Sequence, residues 1–104
     1  PEVAVEARVA SPLALPARAA APLGLLVNEL MSEAAARAGG APVRLRVALA
    51  REGRGALRLL VEDDAPPAEG GPSPLAGAFA AELGGAVEVE AGAGGTRATL
   101  AFRA

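Results

Sequence analysis

Two kinds of hydrophobic spacing divide this chain into segments, and the order of those segments most constrains its fold. Five short segments alternate apolar with polar residues, which is typical of half-buried β-strands. A longer segment, about 18–38, has apolar residues three and four positions apart, which predicts an amphipathic helix. A second helix is predicted over about 75–83. The strands begin near Val3, Val43, Leu57, Val87 and Ala98. The predicted order is therefore β-α-β-β-α-β-β.

Glycine, proline and acidic residues mark the connections between these segments. They predict a break at Ser11–Pro12 and Pro16, a helix end at Gly39–Gly40, a hairpin at 52–55, a loop at 63–74 and a turn at 92–95. Short hairpins favour antiparallel pairs. The sequence therefore predicts an α+β two-layer sandwich with a mixed, mainly antiparallel sheet of about five strands and two main helices on one face.

Length and composition indicate one domain with a thin core. The chain has 104 residues, which suits a single domain over 1–104. Hydrophobic residues make up 52%, but aromatic residues only 2%, so Leu, Val and Ala must fill the interior. Such a core depends on close packing or on a partner. Its predicted members are Leu26, Val27, Leu30, Val47, Leu59, Val61, Leu83, Val89 and Leu100.

The missing residue types exclude several kinds of chemistry. With no histidine or cysteine, the chain itself carries no phosphohistidine, imidazole base, disulfide, thiol nucleophile or cysteine-bound zinc. A net charge of −2 and scattered arginines argue against nucleic-acid binding. No apolar run reaches the roughly 18 residues that span a bilayer. We expect a cytoplasmic protein without membrane insertion, and the start at Pro1 suggests either a domain excised from a longer chain or a processed one.

Three polar segments stand out, although each has an ordinary structural explanation. Asn28–Glu29 suits a solvated helix face, 62–64 a polar loop and 94–96 a hairpin turn. Their order is more specific. The runs PLGLLVNELMSEAAARA, LRLLVEDDAPP and FAAELGGAVEVEAGAGGTRATLAF resemble the ATP-binding catalytic domain of sensor histidine kinases, a branch of the GHKL (Bergerat) ATPase superfamily. The resemblance extends from Val3 to Phe102.

The first family motif is an asparagine on the first helix that holds the Mg²⁺ bridging the ATP phosphates. A neutral amide oxygen binds the metal without repelling phosphate. The resemblance places Glu33 at that position, so a carboxylate stands where the family has an amide. Asn28 lies five residues earlier and points about 140° away, so it does not substitute. Glu29 is retained at a position that supplies the general base in hydrolysing relatives and serves as framework in kinases.

The second family motif, Asp-x-Gly-x-Gly, contains the Asp that accepts a hydrogen bond from the adenine amino group. Asp63 matches that residue, but Ala65 and Pro67 replace both glycines. Glycine permits the tight turn around the base, whereas proline fixes φ and lacks an N–H. The resemblance therefore implies an adenine-reading Asp63 on a loop of altered path.

The remaining motifs are a phosphate-binding Gly-x-Gly-Leu segment before the second helix and a Gly-Thr pair before the last strand. Gly70 matches one glycine of the first, whereas Pro72 replaces the other. The connection is also short, leaving little room for a lid over ATP. Gly95–Thr96 is intact. Asp63, Gly95 and Thr96, together with Asn28, Glu29, Glu33 and Gly70, thus form a vestigial nucleotide site in which we expect no bound cofactor, no metal and no catalytic residue.

The pattern of retained framework and altered motifs resembles the degenerate ATPase-like domain of bacterial histidine phosphotransferases and pseudokinases. The resemblance implies a non-catalytic module of two-component signalling that docks a response regulator or related protein. It also implies that a dimerisation domain with the phosphoacceptor histidine lies outside these residues. One alternative is the ATP-binding catalytic domain of a divergent sensor histidine kinase. Another is an anti-sigma-factor-like domain, which shares the fold.

Overall fold

The structure is a computed structural model that describes residues 3–9 and 15–103. Its elements follow the predicted order: β1 Val3–Val9, α1 Ala17–Ala38, β2 Val43–Gly53, β3 Ala56–Asp63, α2 Pro74–Glu82, β4 Glu88–Gly92 and β5 Gly95–Arg103. The prediction of five strands and two helices is confirmed. The predicted break at Ser11–Pro12 lies outside the described residues.

One mixed sheet contains all five strands in the spatial order β1-β2-β3-β5-β4. β1 and β2 are parallel because α1 carries the chain back between them. The β2–β3, β3–β5 and β4–β5 pairs are antiparallel. The sheet is therefore mixed and mainly antiparallel, as predicted.

A single core lies between one face of the sheet and the two helices. Of the nine predicted core residues, six are buried and three, Val27, Val47 and Val89, are partly buried against them. The buried alanines Ala34, Ala76 and Ala80 were not predicted as core. All three lie on the helices, where a small side chain allows two elements to approach closely.

The first strand is more exposed than its alternation predicts. Val5 is 52% exposed, although its register partner Leu45 is completely buried. β1 is an edge strand, and α1 packs mainly against β2 and β3. Apolar alternation gives the face of a side chain but not whether another layer covers that face.

The end of α1 determines where the polar site forms. Gly39 adopts a left-handed conformation (φ 61°) and its N–H donates to the Ala36 carbonyl, which terminates the helix. Arg37 therefore lies in the last turn, where a cation interacts favourably with the helix dipole. This turn is next to the end of β3 and the start of β5.

Candidate functional site

The candidate site is built around Asp63, the last residue of β3. Asp63 pairs across the sheet with Thr96 of β5, and its side chain is only 6% exposed. Gly95 allows this close approach, because an added Cβ would collide with the Asp63 carbonyl oxygen and because the φ of Gly95 is +130°. The intact Gly95–Thr96 pair thus has a structural reason, because it brings β5 against Asp63.

The carboxylate of Asp63 is paired with Arg37. Arg37 Nη2 lies 2.9 Å from Asp63 Oδ2, and Nη1 lies 3.3 Å from Oδ1. Nη1 also donates to Thr96 Oγ1 at 3.0 Å. The Arg37 side chain is 22% exposed, so most of this ion pair is shielded from water. We call Arg37, Asp63 and Thr96 the arginine clamp.

The arginine clamp also holds the loop that follows β3. Arg37 Nη1 donates to the Pro66 carbonyl at 2.7 Å, and the N–H of Ala65 donates to Asp63 Oδ1 at 3.1 Å. The N–H of Ala68 donates to Thr96 Oγ1 at 2.9 Å. The loop therefore lies over the end of the sheet through contacts with every member of the clamp.

Little space remains beneath this loop. A cavity of about 20 Å³ is lined by residues that include Glu33, Arg37, Asp63, Pro72 and Thr96. A volume of this size holds about one water molecule. Pockets for drug-sized ligands are typically about 300–1,000 Å³.

A second polar group lies on α1 and at the start of α2. Ser73 caps α2 by accepting the Ala76 N–H at 3.2 Å, and its hydroxyl donates to Glu33 Oε2 at 2.7 Å. Glu29 Oε2 lies 3.3 Å from the same hydroxyl, which has only one proton to donate. We call the two carboxylates, Glu29 and Glu33, the acid pair at the α2 cap, and Ser73 is the residue that joins them.

The acid pair has an electrostatic cost. Partial burial, followed by the hydrogen bond and negative charge of Glu29, raises the pKa of Glu33 above its usual 4.5. The hydrogen bond from Ser73 and the charge of Arg37 act in the opposite direction. Protonation of Glu33 is thus favoured more in the folded domain than in the unfolded chain.

The structure brings Asp63, Thr96, Gly95, Glu29 and Glu33 to one end of the sandwich. Of the seven predicted site residues, Glu33, Asp63 and Thr96 line the cavity of about 20 Å³, whereas Asn28, Glu29, Gly70 and Gly95 do not. Asn28 is exposed on α1, as its angular offset from Glu33 predicted, and Gly70 is exposed in the loop with φ +78°.

Two residues that organise the site were not predicted to do so. They are Arg37, which pairs with Asp63, and Ser73, which caps α2 and donates to Glu33. Ser73 followed by Pro74 has the pattern of an N-cap with proline at the first helical position, so that signal was available. The pairing of Arg37 with Asp63 joins residues 26 positions apart and depends on the tertiary fold.

By sequence, the chain matches no family model and no curated protein. By structure, it is similar to the histidine kinase domain of a blue-light activated histidine kinase from Erythrobacter litoralis. The TM-score is 0.80 at 23% identity over 97% of this chain. The ATP-binding domain of PrrB from Mycobacterium tuberculosis matches with a TM-score of 0.71 and 21% identity, covering 99% of this chain and 81% of that one.

These similarities establish the fold: a two-layer α+β sandwich of the type found in the ATP-binding domains of histidine kinases. The chain spans 51% of the Erythrobacter kinase-domain structure and 36% of a longer structure of the same kinase, matched at 22% identity with a TM-score of 0.81. Neither helix in the described part of the chain is long and apolar enough to cross a membrane.

The residues present do not fit ATP and Mg²⁺ in this arrangement. The carboxylate that would read adenine is bound to Arg37, and the cavity has room for about one water molecule. A carboxylate, Glu33, stands at the position that the resemblance assigns to the metal ligand, beside a second carboxylate, Glu29, and the two add negative charge where a polyphosphate would lie. Asp63, which the resemblance assigns to adenine, is paired with Arg37.

Proposed function

We propose that this chain is a non-catalytic, kinase-like domain of two-component signalling that docks a response regulator or a related protein. The observation that carries the first half of the proposal is the arginine clamp, in which Arg37 takes the carboxylate of Asp63 that the resemblance assigns to adenine. The fold supports the signalling context, and the family resemblance supports a cytoplasmic location. The phosphoacceptor histidine is proposed to lie outside this chain, which contains none.

We expect nucleotide binding to be lost because ATP has to compete with Arg37 for the carboxylate of Asp63. ATP must displace Arg37 from a largely buried carboxylate and must lift the loop off Thr96. Each charge-assisted hydrogen bond contributes about 1.5–3 kcal/mol, and affinity falls tenfold for every 1.4 kcal/mol or so. Displacing the clamp therefore weakens ATP binding by orders of magnitude.

The experiment is a thermal-shift and calorimetric titration of the purified chain with ATP–Mg²⁺. We expect no stabilisation at millimolar nucleotide while the domain remains folded. Stabilisation in the micromolar range, abolished by Asp63→Asn and kept by the neighbouring exposed Asp64→Asn, contradicts the proposal. That result favours the alternative, the ATP-binding domain of a divergent histidine kinase, which the fold and the retained Asp63 and Thr96 support.

The docking half of the proposal has its own test. The purified chain is titrated with the receiver domain of a response regulator from the same organism, and amide NMR signals are followed. We expect saturable shifts on one surface in the absence of nucleotide. Absence of shifts with every receiver domain of that organism contradicts docking of response regulators.

A further inference from the structure

The face of the sheet away from the helices carries a row of alternating charges across all five strands. The register places Glu6, Arg46, Glu62, Arg97 and Glu90 opposite one another on successive strands β1, β2, β3, β5 and β4. Acidic and basic residues alternate along the row, and the residue on each of the two edge strands is acidic. Cross-strand pairs of opposite charge stabilise a sheet, and the register sets opposite charges side by side at every step of this row.

The ion pairs within this row are unevenly distributed. Arg97 Nη2 lies 2.9 Å from Glu62 Oε2, and Arg46 Nη1 lies 3.7 Å from Glu62 Oε1. Glu62 thus has two cations, and Arg97 forms its ion pair with Glu62 and not with Glu90. Among the described residues, no ion pair includes Glu90 or Glu88. Glu88 faces the uncharged Thr99, and the nearby Arg58, on which the charge of Glu88 acts, forms its ion pair with Glu52.

β4 is also an open edge of the sheet. It pairs only with β5 in the described part of the chain, and its five pairs run from Glu88 to Gly92 without a bulge. No proline lies within it. The backbone groups on its outer side are therefore available to another strand, which is the usual requirement for strand addition.

The surface beside β4 is concave and charged. A shallow trough of about 420 Å³ runs from β4 towards β2, and the residues that line it include Arg46, Glu62, Glu90 and Arg97 and, at the end of the sheet, Asp63 and Thr96. A second copy of β4 is a poor occupant, because it sets Glu88 and Glu90 against the same carboxylates. A strand with cations at alternate positions continues the charge alternation.

We propose that the free edge of β4 binds an extended basic segment of a partner protein, which adds as a sixth strand and sets Arg or Lys against Glu88 and Glu90. The interaction uses the face of the sheet opposite the helices and needs no opening of the nucleotide-like cavity. It goes beyond the proposed function and does not depend on whether ATP binds.

The test uses a capped synthetic peptide that alternates Arg with Val, titrated into the isotope-labelled chain and followed by amide NMR. Shifts are expected in β4 and β5. The double variant Glu88→Gln/Glu90→Gln is expected to weaken the Kd by about tenfold, equivalent to ~1.4 kcal/mol. The double variant Glu69→Gln/Glu82→Gln, which removes the same charge from exposed positions elsewhere, is expected to bind like the wild type.

Two further peptides separate strand addition from simple charge attraction. A peptide with Glu in place of Arg is expected not to bind. A peptide N-methylated along one edge, which cannot form the backbone ladder, is expected to bind at least tenfold more weakly. Equal binding by the N-methylated peptide, equal binding by both double variants, or no shifts at millimolar peptide overturns the proposal. The proposal is also overturned if Glu88→Gln/Glu90→Gln self-associates and the wild type does not bind the peptide. In that case the two acids serve only to prevent edge-to-edge pairing between copies of the chain.

Discussion

Two polar groups occupy the same end of this domain, and they balance charge in different ways. The arginine clamp joins one cation to one buried carboxylate and satisfies both with further hydrogen bonds. The acid pair at the α2 cap joins two carboxylates through a single serine hydroxyl. The clamp is stable as long as both charges are present, whereas protonation of Glu33 relieves the acid pair.

Under the proposed function, both groups oppose binding of ATP–Mg²⁺. Arg37 pairs with the carboxylate that the family resemblance assigns to adenine. Glu33 and the cap of α2 occupy the position that the resemblance assigns to a neutral metal ligand. The two groups nevertheless differ in what each contributes to stability.

The largest expected effect comes from breaking the clamp. Arg37→Ala leaves the carboxylate of Asp63, 6% exposed, without its cation, and we expect a loss of about 3 kcal/mol of unfolding free energy. Arg58→Ala is the matched control, because Arg58 pairs with Glu52 at the surface with both side chains well exposed. It should cost far less than Arg37→Ala, because water and salt screen an exposed ion pair. Equal losses in urea denaturation contradict the assignment of the clamp as a buried ion pair.

The next largest effect on stability is expected at Gly95, and the adjacent Gly94 provides the control. Gly95→Ala places a Cβ against the Asp63 carbonyl in a conformation with φ +130°, and we expect a loss of about 2 kcal/mol or more. Gly94→Ala meets no atom within 4 Å and should change stability by less than about 0.5 kcal/mol. Similar melting temperatures for the two variants mean that β5 does not approach Asp63 as described.

A smaller effect is expected at the α2 cap. Ser73→Ala removes the acceptor for the Ala76 N–H and should cost about 1 kcal/mol. It also removes the hydrogen bond that lowers the pKa of Glu33, so that pKa should rise further. Ser32→Ala, at an exposed position within α1, should be close to neutral. The carboxyl ¹³C chemical shift of Glu33 against pH measures the second effect, and an unchanged titration contradicts it.

The smallest effect is a dependence of stability on pH. The pKa of Glu33 is raised on folding, so the folded domain binds more protons than the unfolded chain above pH 4.5. The favourable contribution of protonated Glu33 is present below pH 4.5 and is lost as the pH rises through the folded pKa. We expect Glu33→Gln to raise the melting temperature at pH 7 and to have less effect near pH 4. The opposite trend contradicts the described environment of Glu33.

The framework was more predictable than the contacts at the site. Alternation and helical spacing act over neighbouring residues, which is why the order of elements and the burial of Leu26, Leu30 and Leu59 could be predicted. The exposure of Val5 could not, because it depends on how far the helices extend over the sheet. The family resemblance located Asp63 and Glu33. Their partners, Arg37 and Ser73, come from distant segments and required the structure.

The most direct test of the central claim follows the Arg37 side chain itself during addition of ATP–Mg²⁺. In the isotope-labelled chain, a guanidinium held by Asp63, Thr96 and the Pro66 carbonyl is expected to give resolved, slowly exchanging N–H signals. We expect these signals, and the amide signals of Asp63 and Thr96, to stay unchanged up to millimolar ATP–Mg²⁺. Saturable loss or displacement of the Arg37 signals by micromolar ATP–Mg²⁺ means that nucleotide displaces the clamp, and contradicts the account.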